Sequence, residues 1–264
     1  MQPKHPRHKD RAGIMDPYIA HRREEDKKIQ SVSEHNRETA DIAKERCAVE
    51  NMVQIVYLAG MFHDAGKYSE AFQEYIKQAG EEQTHSRRGD VNHATAGGAL
   101  LEEAVPKSNL SEMIQTAIYS HHGVYDAINM EKGEALIEKR QSAGYQEKEK
   151  IELENVRQRF YQFADEKALS ANCSLAKESL AKLISEIKVF SAGDTGQVYG
   201  SRDFYMGMQE RLLMSLLIDA DRSNTAEFMN QMPEEKSPAE EKNDRMKRLW
   251  KECIDSLEKR IAKF

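Results

Sequence analysis

Residues 52–62 are apolar on almost every side, and His63 and Asp64 follow them directly. A helix that is hydrophobic all round is buried at the centre of a protein, with other elements packed around it. The sequence therefore predicts a core helix that ends in an imidazole and a carboxylate. Because both groups are ligands for divalent metals, this end of the helix is a candidate metal site.

The remainder of the chain also has a helical pattern. After residue 17, strand-like alternation is missing and β-branched runs are scarce. Ser31 and Glu34 have the spacing of a capping box, which would place His35 in the first turn of a helix reaching residue 49. Gly66 is expected to end the core helix, and Asn92 to cap a helix over residues 93–105. Further helices are predicted over residues 111–122, 151–169, 175–189 and 204–221. The predicted fold class is an all-α bundle.

Composition and charge exclude several classes of protein. The formal net charge of −6 does not suit a broadly basic nucleic-acid binder. Cys47, Cys173 and Cys253 are widely separated, which argues against a thiolate metal site and suits a reducing cytoplasm. The apolar stretch at residues 212–218 is far too short to cross a bilayer. We therefore expect a cytoplasmic protein without membrane contact.

The composition along the chain suggests three parts. Residues 1–17 are polar and are expected to form a flexible lead-in. Residues 18–230 contain every candidate functional residue and form the expected domain. Residues 231–264 are expected to form a linker and a final amphipathic helix, which could contact a partner. No Gly-rich phosphate loop ending in Gly-Lys-Ser/Thr is present, so ATP binding through such a loop is not expected.

Histidines recur along the chain at nearly equal intervals. The steps between His35, His63, His93 and His121 are 28, 30 and 28 residues. Each step is about one helical hairpin, so successive helices could deliver one ligand each to a shared pocket. His122 adjoins the last of these histidines. A lone histidine at a helix end is more often a cap than a ligand, but this series favours a site for two divalent ions.

A later helix offers two aspartates. Asp219 and Asp221 are two residues apart, or about 200° around a helix, so they cannot both face one pocket. Both faces of this helix are apolar, and periodicity does not choose between the two. No convincing serine or cysteine nucleophile is present, and none is needed where two metals clamp a phosphate.

These residues resemble the HD superfamily of metal-dependent phosphohydrolases, and in detail its CRISPR-associated branch, the HD nuclease of type I CRISPR systems. The resemblance covers residues 18–21, 34–35, 59–75, 92–98, 120–123 and 216–222. The His-Asp pair alone is weakly specific. The extension to Lys67, the His-His-Gly turn and the Asp-Ala-Asp-Arg segment point to this branch. The resemblance implies an HD-domain helical bundle with a metal site at its centre.

The resemblance also assigns roles to residues. It implies that one ion is bound by His35, His63, Asp64 and Asp221, and a second by His93, His121 and His122, with Asp64 bridging. The ligand of the family follows the position of Ala220, which favours Asp221, and Asp219 is expected to pair with a cation or to cap. Asp64 and Lys67 would be catalytic, with Lys67 steadying the scissile phosphate. A structural role for Lys67, as a cation at a helix C-terminus, is compatible with this one. His21 has no implied ligand role and is expected to support the site from behind.

The implied function is a nuclease that degrades single-stranded DNA in CRISPR interference with two divalent ions: manganese, iron, cobalt, nickel or magnesium. Its implied partners are a CRISPR helicase, in cis or in trans, and the RNA-guided surveillance complex. One alternative is an HD phosphohydrolase acting on small or cyclic nucleotides, which would need a closed cavity instead of an open groove. Another is a non-enzymatic helical adaptor with a structural metal, whose coordination shell would be filled.

Overall fold

The computed structural model describes residues 16–78, 91–123, 128–129, 131–193 and 201–230, with Lys251 and Lys259. The chain divides into a first unit ending at Phe228 and a second unit, Met229–Phe264. The predicted linker and final helix of the second unit lie almost entirely outside the described residues. Residues 1–15 of the predicted lead-in lie outside them as well. Nearly all of the described residues belong to the first unit.

Helices form most of the described chain. They are α1 Val32–Arg46, α2 Val53–Phe62, α3 Glu70–Gln78, α4 Ala94–Ala104, α5 Asn109–Ser120, α6 Ile137–Gln141, α7 Ala143–Lys148, α8 Leu153–Phe163, α9 Glu166–Gly193 and α10 Ser201–Met229. Two 3₁₀ turns, Glu50–Met52 and Ala65–Tyr68, lie on either side of α2. The predicted all-α class is confirmed. None of the described helices has the length and apolar character needed to span a membrane.

The core is built around α2, as the sequence predicts. Ile55, Val56, Leu58 and Phe62 are completely buried on this helix. Helix α1 packs along α2, and α4, α5 and α9 also contact α2. Burial of each large apolar side chain contributes roughly 1.5–3 kcal/mol to stability. The end of α2 is consequently held in one place, and so are the polar residues that follow it.

Two short antiparallel hairpins correct the expectation that strands are missing. Strand β1, Ile19–Arg22, pairs with β2, Ile29–Ser31, and β3, Ile128–Asn129, pairs with β4, Glu134–Ala135. These strands have only two to four residues, too few to produce a recognisable alternation. The β1–β2 hairpin runs directly into α1, and it brings the ring of His21 to 4.6 Å from the ring of His35.

The predicted helix over residues 151–169 is wrong in extent. The chain leaves α8 at Ala164, which is extended (φ −82°, ψ 144°). Oδ1 of Asp165 then accepts hydrogen bonds from the backbone N of Lys167 (3.1 Å) and of Ala168 (3.2 Å), at the start of α9. An aspartate side chain can thus compete with the helix for backbone amides and interrupt it. The charged amphipathic pattern of these residues gives no sign of such a break. Helix α10 is also longer than predicted, since it continues past residue 221 to Met229.

Asp16, which was placed in the predicted lead-in, is part of the fold. Its side chain is buried and accepts hydrogen bonds from the backbone N of Tyr18 (2.9 Å) and of Ser33 (2.9 Å). The hydroxyl of Tyr68 donates a third hydrogen bond of 2.9 Å. Asp16 therefore ties the entry of β1 to the start of α1 and to the turn after α2.

Candidate metal centre

The end of α2 presents His63 and Asp64 to the interior. Both residues are buried. Nδ1 of His63 lies 2.7 Å from the carbonyl oxygen of Gly60. Nε2 of His63 lies 3.4 Å from Oδ2 of Asp64 and has no hydrogen-bond partner among the described residues. Because the carbonyl can only accept, Nδ1 carries the proton and Nε2 keeps a free electron pair.

Helix α1 delivers His35 to the same place. The capping box predicted at its start is confirmed, because Oγ of Ser31 accepts from Glu34 N (3.3 Å) and Oε2 of Glu34 accepts from Ser31 N (3.2 Å). His35 is fully buried in the first turn. Its Nε2 lies 3.1 Å from Oδ2 of Asp64 and 3.3 Å from Oδ1 of Asp221, which comes from α10.

His93 lies at the start of α4. Nδ1 of His93 lies 3.0 Å from the carbonyl oxygen of Val91. Oδ1 of Asn92 accepts from Thr95 N (3.2 Å), so the predicted cap by this side chain is confirmed. The helix begins one residue later than predicted, since His93 is the N-cap residue and not the first helical residue. Gly66 does not end α2 but lies within the following 3₁₀ turn. A Cβ at Gly66 would be 1.9 Å from the carbonyl oxygen of His93, so only glycine allows α4 to approach Asp64.

The end of α5 supplies the last two histidines. Nδ1 of His121 lies 2.5 Å from the carbonyl oxygen of Ile118, and its Nε2 lies 3.4 Å from Oδ1 of Asp64. His121 is buried, whereas His122 is exposed. Nε2 of His122 lies 2.6 Å from Nε2 of His93. Two ring nitrogens at this separation need a shared proton or a cation to avoid repulsion.

The histidines share one pattern of anchoring. In four of them Nδ1 faces an oxygen that only accepts, and Nε2 faces the carboxylates; these are His35, His63, His93 and His121. Ligand atoms within 4.8 Å of one another form two groups: His35, His63, Asp64 and Asp221, and Asp64, His93, His121 and His122. The free electron pairs of these nitrogens converge with the carboxylates of Asp64 and Asp221, and this set matches the nitrogen and oxygen ligands of divalent metals.

Asp64 belongs to both groups, and its two oxygens face different sides. Oδ2 lies 3.1 Å from Nε2 of His35 and 3.4 Å from Nε2 of His63. Oδ1 lies 3.4 Å from Nε2 of His93 and 3.4 Å from Nε2 of His121. The carboxylate is thus placed where one oxygen can serve each group.

The site favours anionic aspartates. Burial opposes the charge of Asp64, but Lys67 and the neighbouring histidines outweigh it and hold the pKa of this carboxyl well below its usual range. Burial likewise opposes the charge of Asp221, but the neighbouring rings of His35 and His63 outweigh it and hold the pKa of this carboxyl well below its usual range. Both carboxylates therefore remain charged across the physiological range.

The histidines differ in their charge. Burial lowers the pKa of His93 to about 3 and that of His122 to about 4, so both are neutral near pH 7. For His35 and His121, burial opposes protonation, but the neighbouring carboxylates outweigh it. The pKa of both histidines is therefore raised, and Asp64 contributes to both shifts. Since metal ligation requires neutral imidazole, cation binding at these two positions competes with a proton.

Lys67 and His21 form a contact behind Asp64. Nζ of Lys67 lies 2.7 Å from Oδ2 of Asp64 and 3.1 Å from Nε2 of His21. Burial lowers the pKa of His21 to about 2, so its ring is neutral and its Nε2 accepts from the ammonium. Oγ1 of Thr225 lies 3.3 Å from the same nitrogen. His21 therefore holds Lys67 against Asp64, in line with the supporting role expected of it.

The two candidate aspartates of α10 have different surroundings. Asp219 is exposed, and its Oδ2 lies 2.5 Å from Nη1 of Arg46. This confirms the expectation that Asp219 pairs with a cation. Oδ1 of Asp221 lies 3.3 Å from Nε2 of His35 and 3.7 Å from Nε2 of His63.

A group of polar residues that was not predicted from the sequence lies behind His35. Nδ1 of His35 lies 2.7 Å from Oδ1 of Asn224, whose Nδ2 donates to Oε2 of Glu38 (2.8 Å). Nε2 of Gln30 donates both to Oδ1 of Asn224 (2.9 Å) and to Oε2 of Glu38 (2.9 Å). One signal was available, because Asn224 follows Asp221 by three residues and such residues are neighbours on a helix surface.

The candidate ligands differ in their exposure to solvent. The side chains of His35, His63 and His121 have no exposed surface. His93 is 13% exposed and Asp221 is 16% exposed, and His122 is exposed to solvent. A substrate would therefore reach the centre past these three side chains.

Comparison with known protein families identifies a relationship over most of the domain. The model of the family described as "Cas3, HD domain" matches residues 18–193. The matched region contains six of the seven candidate ligands, and Asp221 lies beyond it. No curated protein matches the chain.

Proposed function

The chain belongs to the Cas3 HD domain family, and from this premise we propose that it cuts single-stranded DNA by two-metal hydrolysis of phosphodiester bonds. The family consists of metal-dependent nucleases of type I CRISPR systems, so the chain is a divalent-metal enzyme that acts on nucleic acid. The non-enzymatic adaptor considered above is therefore excluded. The number of ions, the ligands and the preferred strand form are the proposal.

One observation carries the two-metal proposal. The carboxylate of Asp64 lies between two groups of candidate ligands, with Oδ2 toward His35 and His63 and Oδ1 toward His93 and His121. We assign Asp221 to the first group and His122 to the second. The set has no sulfur ligand, which favours manganese, iron, cobalt, nickel or magnesium. A shared anion lowers the repulsion between two cations held close together.

Two such ions would stabilise the attacking and leaving oxygens of a phosphodiester and lower the pKa of a water molecule. The residues of the chain would orient the ligand atoms and position the phosphate. Acceptor oxygens fix Nδ1 of the four buried or half-buried histidines, so their Nε2 atoms are oriented before any ion arrives. Lys67 places a positive charge beside Asp64, and we propose that it steadies the scissile phosphate once both ions are bound.

Single-stranded DNA suits this centre better than a duplex. Most candidate ligands are buried, so the phosphate must enter a recess past His93, His122 and Asp221. A flexible strand can bend into a recess, whereas bending a stiff duplex costs several kcal/mol. The net charge of −6 provides no broad basic face on which a duplex could lie. The exposure of His122 also favours an open site over the closed cavity that a nucleotidase needs.

The chain needs a source of single-stranded DNA. Its sequence has no Gly-rich phosphate loop for ATP, and a CRISPR helicase, in cis or in trans, would supply the strand together with the surveillance complex. We propose that residues 18–230 form the nuclease domain in the cytoplasm. Residues 231–264 would form a linker and a helix that contacts the helicase.

The test is a side-by-side digestion with the purified chain in Mn²⁺ or Co²⁺ at moderate salt. The substrates are circular single-stranded DNA, a blunt linear duplex and cyclic nucleotides, and the Asp64→Asn variant is the control for contaminating nucleases. We expect the single-stranded circle to be cut faster than the duplex. Faster cleavage of the duplex would contradict the strand preference. Hydrolysis of cyclic nucleotides alone would replace the proposal with the nucleotide phosphohydrolase.

A further inference from the structure

We propose that Asn224 is a positioning residue that sets the tautomer of His35 and, through it, the affinity of the first metal group. The inference rests on the proposed metal centre and extends it to a residue that does not touch substrate or metal. Asn224 is buried on α10, one turn after Asp221. One helix therefore carries both a candidate ligand and the group that orients another ligand.

The anchoring of His35 differs from that of the other histidines. His63, His93 and His121 each hold Nδ1 against a backbone carbonyl within three residues in the sequence. These contacts form with the local backbone and need no other element. His35 instead depends on a side chain 189 residues away, the amide of Asn224 at 2.7 Å. The orientation of His35 is thus coupled to the docking of α10.

The direction of the amide follows from its neighbours. The Glu38 carboxylate only accepts hydrogen bonds, so the group of Asn224 that lies 2.8 Å from it must be the donor, Nδ2. Nε2 of Gln30 donates to the other end, Oδ1, at 2.9 Å. Both contacts therefore require Oδ1 of Asn224 to face His35.

An acceptor facing Nδ1 of His35 determines the tautomer of its imidazole ring. Because Oδ1 cannot donate, Nδ1 of His35 must carry a proton, and the electron pair of the neutral ring lies on Nε2. Nε2 is the atom that faces Oδ2 of Asp64 and Oδ1 of Asp221. Partners of this kind fix ring orientation and raise the basicity of a ligand, and their loss costs about 10- to 100-fold in metal affinity.

The decisive variant is Asn224→Leu, which keeps the approximate size and removes the acceptor. Binding of Co²⁺ is titrated through the visible absorption of the bound ion, independently of nuclease activity. We expect the affinity to fall about 10- to 100-fold, with the far-UV circular dichroism unchanged. Equal affinity in wild type and variant would overturn the inference. A wild-type chain that binds no Co²⁺ would instead contradict the proposed metal centre.

A matched control separates positioning from a general loosening of α10. Oγ of Ser223, the neighbouring residue, accepts from Nη1 of Arg46 (2.8 Å) on the surface of the molecule. Ser223→Ala should leave Co²⁺ affinity and the absorption spectrum unchanged. If Ser223→Ala weakened binding as much as Asn224→Leu, the effect would belong to helix docking and the inference would fail.

A rescue pair covers the case in which Asn224→Leu does not fold. Asn224→Asp retains an acceptor for His35 but places a second carboxylate against Glu38, so it should weaken Co²⁺ binding. Adding Glu38→Gln places the carboxylate at position 224 and the amide at position 38, so the total charge equals that of wild type. This double variant should recover most of the Co²⁺ affinity. Failure of this pair to bind better than Asn224→Asp alone would show that the hydrogen-bond chain does not control His35.

Discussion

Nζ of Lys67 lies 2.7 Å from Oδ2 of Asp64, and both side chains are almost completely buried. The contact joins residues three positions apart across the turn after α2. The ammonium offsets the charge of the one carboxylate that faces both ligand groups. A cation bound at Oδ2 would consequently lie near a fixed positive charge, and Lys67 should oppose metal binding while favouring the phosphate.

Replacing Lys67 by methionine should separate these two effects. We expect cleavage of single-stranded DNA to fall roughly 100-fold, because a charge that stabilises the transition state is lost. Metal affinity should stay the same or increase, because a like charge is removed. Turnover and calorimetric Mn²⁺ titration measure the two quantities, with the exposed Lys77→Met as control. Unchanged cleavage would contradict the role of Lys67 at the phosphate.

Asp64→Asn should abolish cleavage and leave the helical fold intact. The amide keeps the shape of the side chain, but it removes the anion that both ligand groups share. We therefore expect metal titration to show the loss of at least one of two ions, with little change in far-UV circular dichroism. Activity close to that of wild type would contradict the assignment of Asp64.

Asp221→Asn and Asp219→Asn form a matched pair on one helix. Asp221 faces His35 and His63, so its loss should cost most of the activity. Asp219 pairs with Arg46 at the surface, and exposed ion pairs contribute only about 0–1 kcal/mol to stability. Initial rates at saturating Mn²⁺ should differ widely between the two variants. Equal losses would show that α10 presents a different face to the centre.

Glu152 predicts a dependence of stability on pH away from the metal centre. Its carboxylate accepts from the backbone N of Glu70 and of Ala71, each at 3.0 Å, and so caps α3. Burial opposes the charge, but these hydrogen bonds outweigh it and lower the pKa of Glu152. Glu152→Gln should therefore reduce the free energy of unfolding by about 1 kcal/mol at neutral pH.

The sign of the pH effect follows from the lowered pKa. A carboxyl whose pKa is lower in the folded state stabilises the protein above its unfolded pKa, and this contribution is lost as the pH falls through the folded pKa. Urea unfolding of wild type and Glu152→Gln should thus converge at acidic pH. The exposed Glu147→Gln should match wild type throughout. A constant difference at all pH values would show that the charge of Glu152 is not responsible.

The sequence predicted the features that depend on local pattern. The buried α2, the capping box at Ser31 and the cap at Asn92 all follow from residues within a few positions of one another. The short strand containing His21 and the break at Asp165 were missed, because both depend on backbone hydrogen bonds that hydrophobic periodicity does not record.

The candidate ligands were predicted from their spacing and from family resemblance. The residues that contact and orient these ligands could not be predicted in this way. Periodicity alone did not separate Asp219 from Asp221, which the fold separates by pairing Asp219 with Arg46 and placing Asp221 beside His35 and His63. The contact between His35 and Asn224 spans 189 residues, and no local pattern predicts such a contact. The close approach of His93 to Gly66 is likewise a tertiary contact, visible only when α4 is packed against the turn after α2.

The most direct test of the shared role of Asp64 is a crystal structure of the chain with Mn²⁺, with the ions located by anomalous scattering. Two peaks about 3.5–4 Å apart are predicted. One should be ligated by His35, His63, Asp64 and Asp221, and the other by Asp64, His93, His121 and His122. A single ion, or two ions that do not share Asp64, would contradict the account.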